Sequence, residues 1–236
     1  MLDVLAFGAH PDDVEMTSGG LLCRLVDAGL AVGIIDLTRG ELGTRGTPEV
    51  RTKEAQAAAR IMGARVRECL DMPDGAVRNT AEARIEVIRA LRKYRPRLII
   101  IPYWECEHPD HANTGRLVKE SAYLAGLKKI DTGQERFRPA RVIHYMTHHR
   151  FEPSFIVPID EYFERKMEAV RAHASQFYRP DAPDEDETRI SQPGFLDLLA
   201  LRDRTYGAMV GAMYGEPYFM RGILRIENPF ALWCRT

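Results

Sequence analysis

The chain has 236 residues, with 33 Lys+Arg against 34 Asp+Glu, a formal net charge of -1, 45% hydrophobic and 28% charged residues, which is an ordinary globular composition. At roughly 100–200 residues per domain the length suits one α/β domain over residues 1–236. The near-neutral charge argues against bulk nucleic-acid binding, which needs a basic face, and leaves a small molecule as the expected partner.

Residues 4–9 form a short apolar run with Asp3 before it and no basic region, so the amino terminus reads as a buried strand and not a signal peptide. After a polar turn, residues 19–28 carry Leu21, Leu22, Leu25 and Val26 at helical spacing. Residues 31–37 are apolar and β-branched, and 49–62 are Ala-rich and helical, with Gly63 as C-cap. Residues 81–94 place Ile85, Ile88 and Leu91 on one helix face, and Pro96 ends that helix before the strand Leu98-Ile99-Ile100-Ile101. A helix from 113 to 124 and a strand at 141–146 close the repeating pattern, followed by helices at 159–174 and 197–213 and, between them, an acidic, proline-rich loop over 180–194. Helices feeding fully apolar strands predict a Rossmann-like three-layer α/β sandwich with a mostly parallel central sheet. No apolar run approaches the ~18 residues of a membrane span, and scattered Cys23, Cys69, Cys106 and Cys234 fit a reduced, cytoplasmic setting.

In such sheets ligands bind beyond the carboxyl ends of the strands, so the loops after Ala9 and Pro102 are where chemistry is expected. The first reads His10-Pro11-Asp12-Asp13 and carries no GxGxxG; the second reads His108-Pro109-Asp110-His111. Catalytic zinc takes three N or O ligands and leaves one position open. His10 and Asp13, three apart on a turn entering a helix, and His111 from the second loop supply a His₂Asp set, which also suits Fe2+. Asp12 is then free to take a proton from the hydrolytic water, and His108 to steady an oxyanion with Asp110 holding its imidazole protonated. The bland reading is that Asp12 or Asp13 merely caps a helix. His144, His148, His149 and His173 are read as packing or surface residues, and Cys106 as a bystander, although a thiol that close can bind metal adventitiously. A metal-free nucleotide- or sugar-binding module is the rival of a different class.

The two His/Asp motifs together resemble the LmbE/PIG-L-like zinc deacetylases, which remove the acetyl group from N-acetylglucosamine conjugates. Asp36-Leu37-Thr38-Arg39-Gly40-Glu41-Leu42-Gly43-Thr44-Arg45-Gly46-Thr47, Glu49-Val50-Arg51 and Ser175-Gln176-Phe177 resemble the bacillithiol-biosynthesis branch, the N-acetylglucosaminyl-malate deacetylases. The resemblance implies Zn2+ on His10, Asp13 and His111, Asp12 as general base, and His108 with Asp110 at the tetrahedral intermediate. It implies substrate contacts from Glu41, Arg51 and Asp74, although Glu41 can equally cap a turn and Arg51 pair with a carboxylate. It also implies a homo-oligomer, hexamer or trimer, acting on a small acetylated amino-sugar conjugate. One departure is Cys106-Glu107 where the branch carries Asp-Arg, which puts an anion where malate wants a guanidinium. Another N-acetylglucosamine conjugate, a chitooligosaccharide or a thiol-conjugate amide is therefore the alternative substrate.

Overall fold

A computed structural model describes residues 1–178 and 187–228. Cys234 and residues 180–186 of the expected acidic loop lie outside the described residues. The elements, in chain order, are β1 (Val4–Gly8), α1 (Asp13–Asp27), β2 (Val32–Asp36), α2 (Pro48–Met62), β3 (Val66–Cys69), α3 (Ala81–Tyr94), β4 (Leu98–Pro102), α4 (Pro109–Leu124), β5 (Arg141–Tyr145), β6 (Phe155–Pro158), a 3-10 turn (Asp160–Tyr162), α5 (Phe163–Arg171), α6 (Phe195–Ala208) and β7 (Gly215–Phe219). They form a seven-stranded sheet of order β3-β2-β1-β4-β5-β7-β6. The first five strands are parallel, and β7 runs antiparallel to both β5 and β6.

Every residue of β1 and β2 is buried, because helices cover both faces of the sheet. Leu5, Phe7, Ile35, Leu37, Ile99 and Ile101 pack with Val87, Leu91, Leu117 and Val118 of α3 and α4. The alternate positions Val4, Ala6, Ile34, Ile100 and Ile143 pack with Val14, Leu22, Ala58, Met62 and Ala169 of α1, α2 and α5. The period of two along each strand sorts these side chains to opposite faces.

Helix α1 begins at Asp13, six residues before the apolar periodicity starts, because the Gly19-Gly20 pair breaks that periodicity while serving a packing role. A Cβ on Gly20 would sit 2.7 Å from Ile159 Cγ2, so the bare backbone lets the segment leading into α5 approach closely. The expected last helix ends at Ala208 instead of 213, and the aromatic stretch beyond it is β7. There the fully buried Lys166 Nζ lies 2.6 Å from Asp203 Oδ2 and 2.9 Å from Glu216 Oε1, while the Glu216 carboxylate accepts the Gly20 and Leu21 amides at 2.9 and 2.8 Å. This satisfied ionic cluster ties α1, α5, α6 and β7 together.

The sheet order reverses between β1 and β4, and both strands point their carboxyl ends at that crevice. It is the switch point at which open α/β sheets bind ligands. Among the described residues no helix is long and apolar enough to cross a membrane.

Candidate active site

The loop after β1 delivers His10, Pro11 and Asp12, and the loop after β4 delivers His108 at the start of α4. Asp12 occupies the N-cap position of α1 with φ 117° and makes no side-chain capping bond. Asp13 Oδ2 instead turns back to the preceding loop and accepts the Ala9 and His10 amides at 2.9 and 3.0 Å. That leaves Asp13 Oδ1 facing His111 Nε2 at 3.1 Å. His10 presents Nε2 to Asp74 Oδ1 at 2.9 Å, and its Nδ1 lies 3.7 Å from Asp13 Oδ2. One ligand atom from each of His10, Asp13 and His111 falls within 4.8 Å of the others, and all three residues are buried.

Asp12 is buried beside this trio, with Oδ2 3.3 Å from Arg51 Nη2. Arg51, expected at the substrate, is itself buried and donates to Pro11 O and Gly40 O, each at 2.9 Å. Gly40 makes this approach possible, since with φ 68° a Cβ there would stand 2.0 Å from Arg51 Nη1. Two further residues of the expected substrate set are also engaged within the protein. Asp74, expected at a sugar hydroxyl, has both oxygens engaged, one by His10 and the other by the Leu42 amide at 2.9 Å. Glu41 takes its capping alternative, accepting the Asp74 amide at 2.8 Å.

The Asp110 carboxylate stands within 4.8 Å of a His108 ring nitrogen but makes its hydrogen bonds to other groups. Its oxygens accept the Gly75 and Val77 amides at 2.7 and 3.2 Å and lie 3.7 Å from His10 Nε2. His108 instead accepts the Asp110 backbone N–H on Nδ1 at 3.2 Å, capping α4. Its ring stacks on His111, with centroids 4.6 Å apart, and meets His10 edge-on at 4.7 Å.

Residues 5–122 match the GlcNAc-PI de-N-acetylase (PIG-L) family. The chain belongs to that family. It is 34% identical to the diacetylchitobiose deacetylase of Thermococcus kodakarensis, over 97% of this chain and 86% of that protein. It is 28% identical to a probable N-acetyl-alpha-D-glucosaminyl L-malate deacetylase 2 of Bacillus anthracis, over 74% and 81%. Among solved structures, the conserved protein TT1542 of Thermus thermophilus superposes with a TM-score of 0.88 at 37% identity, each chain fully covered. The N,N'-diacetylchitobiose deacetylase of Pyrococcus horikoshii superposes with a TM-score of 0.80 at 28% identity, over 91% of this chain and 82% of that one. The protein is accordingly a deacetylase, a hydrolase of amide C–N bonds, as the paired motifs imply.

Electrostatics at the PIG-L site separate its carboxyls. Burial drives the Asp12 carboxyl up, with Arg51 opposing, and leaves it at about 6. Asp13, equally buried, is held far below the usual range by the charges and hydrogen bonds of His111 and His10. Burial depresses His10, but the nearby Asp110 carboxylate, the hydrogen bond with Asp74 and the charge of Asp13 more than offset it and raise it to about 9. In the same way His111, depressed by burial, is raised to about 10 by Asp13 and Cys106. His108 moves down, through burial and then the neighbouring His111 and His10.

Two neighbours of His111, expected as a bystander thiol and a packing or surface histidine, meet at its ring. Cys106 Sγ lies 3.4 Å from His111 Nδ1, 3.7 Å from His148 Nδ1, and accepts from Thr147 Oγ1 at 3.1 Å. Nothing in the local sequence links these loops. The other histidines keep the roles expected of them: His144 is buried and bonded to Pro102 O, His173 is buried against Glu15 Oε1, and exposed His149 faces Glu105. Glu107 is exposed and pairs with Arg189 Nη1 at 3.4 Å.

Proposed function

We propose that the protein hydrolyses the N-acetyl amide of an N-acetylglucosamine glycoside, using a divalent ion held by His10, Asp13 and His111. The donor set fits such an ion. Each ligand's second polar atom is already occupied, by Asp74, by the Ala9 and His10 amides, and by Cys106, which leaves two imidazole nitrogens and one carboxylate oxygen turned inward. Zinc suits these donors, and ferrous iron suits them equally. When bound, the ion supplies Lewis acidity toward the acyl oxygen and acidifies water.

The observation that carries the reading is Asp12, a buried carboxyl at about 6 standing beside the trio with no capping duty. A carboxylate so placed accepts the proton of the hydrolytic water near neutral pH. Arg51 fixes its position. His108 accepts on Nδ1, so its proton resides on Nε2, and that N–H donates to the oxyanion of the tetrahedral intermediate. A neutral imidazole is a poor source of a second proton, so Asp12 returns the one it took to the departing amine.

For the aglycone, a neutral sugar fits best. Arg51 is committed to Asp12, Arg45 donates to Ser175 O, and Arg189 is paired with the anionic Glu107. The malate conjugate is the second reading, favoured by a cavity of about 710 Å³ next to His148 whose lining includes Arg150 and Arg189. The test is amine release by zinc-loaded protein from N,N'-diacetylchitobiose, N-acetylglucosaminyl-malate and N-acetylglucosamine. A preference for the disaccharide supports the first reading and a preference for the conjugate the second. No amine from any of them, with zinc bound stoichiometrically, refutes both.

A further inference from the structure

We propose a second metal-ion site, for a thiophilic divalent ion such as Zn2+, formed by Cys106 Sγ, His148 Nδ1 and the outward Nδ1 of His111. The three ligand atoms lie within 4.8 Å of one another. They come from two loops, after β4 and after β5, and from the first turn of α4.

Donor spacing is the main argument. With Zn–S of about 2.3 Å and Zn–N of about 2.0–2.1 Å, a sulfur and a nitrogen on one tetrahedral ion stand about 3.5–3.6 Å apart. The sulfur here lies 3.4 and 3.7 Å from the two imidazole nitrogens, so both sulfur-to-nitrogen spacings are within a few tenths of an ångström of what such an ion needs, and a small rotation of the His148 ring sets the third. Chemistry agrees with spacing, because one thiolate and two imidazoles form a set that selects zinc over magnesium or calcium. Thr147 Oγ1 donates to the sulfur at 3.1 Å and leaves its remaining lone pairs for an ion. An entry path exists as well, since His148 and Thr147 line the 710 Å³ cavity, and the fourth position can be filled from that side.

The site shares His111 with the catalytic set but uses the opposite ring nitrogen: Nε2 faces Asp13 and Nδ1 faces Cys106. Filling it therefore displaces the Nδ1 proton and makes the imidazole a bridge, with the two ions about 6 Å apart. A bridging imidazolate divides its electron density between two cations, so occupancy of the second site alters the hold of His111 on the catalytic ion. Excess zinc thus becomes a modulator of the enzyme through one side chain.

The experiment is a Co2+ titration of metal-free full-length protein followed by absorbance. The catalytic set contains no sulfur, so a thiolate-to-cobalt charge-transfer band in the near ultraviolet reports only the second site. We expect two equivalents bound, the band accompanying one of them. The Cys106→Ser variant should bind a single equivalent without the band, and His148→Ala should need at least tenfold more Co2+ to develop it. The inference leans on the proposed function only through His111, and the His10→Ala variant separates them: it weakens the catalytic equivalent and keeps the band. One equivalent with no band in the wild type overturns the second site and leaves the catalytic reading standing. A band that survives Cys106→Ser overturns it too, by assigning the sulfur to another cysteine.

Discussion

Replacing Asp74 by Asn separates two roles that the sequence alone confuses. If Asp74 orients His10, as the 2.9 Å contact between its Oδ1 and His10 Nε2 implies, the perturbation falls on metal affinity. If it grips a sugar hydroxyl, the perturbation falls on KM. Partners of metal-bound imidazoles are commonly worth 10- to 100-fold in affinity, or about 1.4–2.7 kcal/mol. The lower half of that range is expected here, because Asn keeps an acceptor oxygen and Asp110 Oδ2 stands by at 3.7 Å. Protons complicate the measurement in a calculable direction. The Asp74 carboxylate helps raise His10 to about 9, so the wild-type protein must displace a proton near pH 7 that the variant binds less tightly. The affinity deficit of the variant should therefore be smaller at pH 7 than at pH 9, where wild-type His10 is about half deprotonated. Competition against a chromophoric chelator at both pH values measures it. Equal zinc affinity at pH 7 and at pH 9, together with a raised KM, would refute the orienting role and restore the sugar contact.

The Asp12→Asn variant should keep its metal content and lose about 10²–10⁴-fold in kcat, a range typical of removing a general base; a near-wild-type rate removes Asp12 from that role. In the wild type, rate should rise with pH through about 6 as the Asp12 carboxyl ionises. Gly40→Ala pushes a methyl into the Arg51 guanidinium, which takes away the cation that lowers Asp12, so this acid limb should move to higher pH; a limb that stays in place contradicts the assignment. Zinc affinity should climb by about two log units per pH unit between pH 7 and 9, since binding displaces one proton each from His10 and His111, raised to about 9 and 10. Calorimetry in buffers of different ionisation enthalpy counts those protons. The same raised values stabilise the metal-free protein fully below 6.5, the ordinary histidine value, and that contribution disappears as pH rises through 9 and 10.

The parallel half of the fold is legible because its strands are apolar on both faces and its helices are well punctuated. Thr80 caps α3 from Ala81 and Arg95 ends it just before Pro96, so the span matches the sequence pattern residue for residue. The antiparallel edge is not. Strand β7 reads Gly-Glu-Pro-Tyr-Phe, and its polar and proline positions look like a loop. Glu216 is buried against Lys166, and Pro217 is tolerated because β5 pairs only with Tyr218 and Phe219. Strand β6 is four residues long and ends in proline. At the site, the inward residues are readable because each sits within a few positions of a strand end. Their partners are not, since Asp74 lies 64 residues from His10 and His148 lies 42 from Cys106, and only the folding of separate loops brings them together.

The backbone at Asp12 carries a last consequence. Capping residues ordinarily sit in the extended region and fold their side chain back onto the helix amides; Asp12 has φ 117° and ψ -26° and caps nothing. That conformation is strained for any residue with a Cβ, by about 1–3 kcal/mol, and it is what turns the carboxylate away from α1 and toward the site. Activity and stability are therefore opposed at this one position. The comparison that isolates the strain is Asp12→Gly against Asp12→Ala, because both lack the carboxylate and the Arg51 contact while only alanine retains the Cβ. Although glycine adds about 0.5–1 kcal/mol of unfolded-state entropy, it should be the more stable of the two by about 1 kcal/mol in urea unfolding of the metal-free proteins, and both should be inactive. An alanine variant as stable as the glycine one, or more so, would show that the protein relaxes this turn without help, and that the carboxylate is held in place by Arg51 alone.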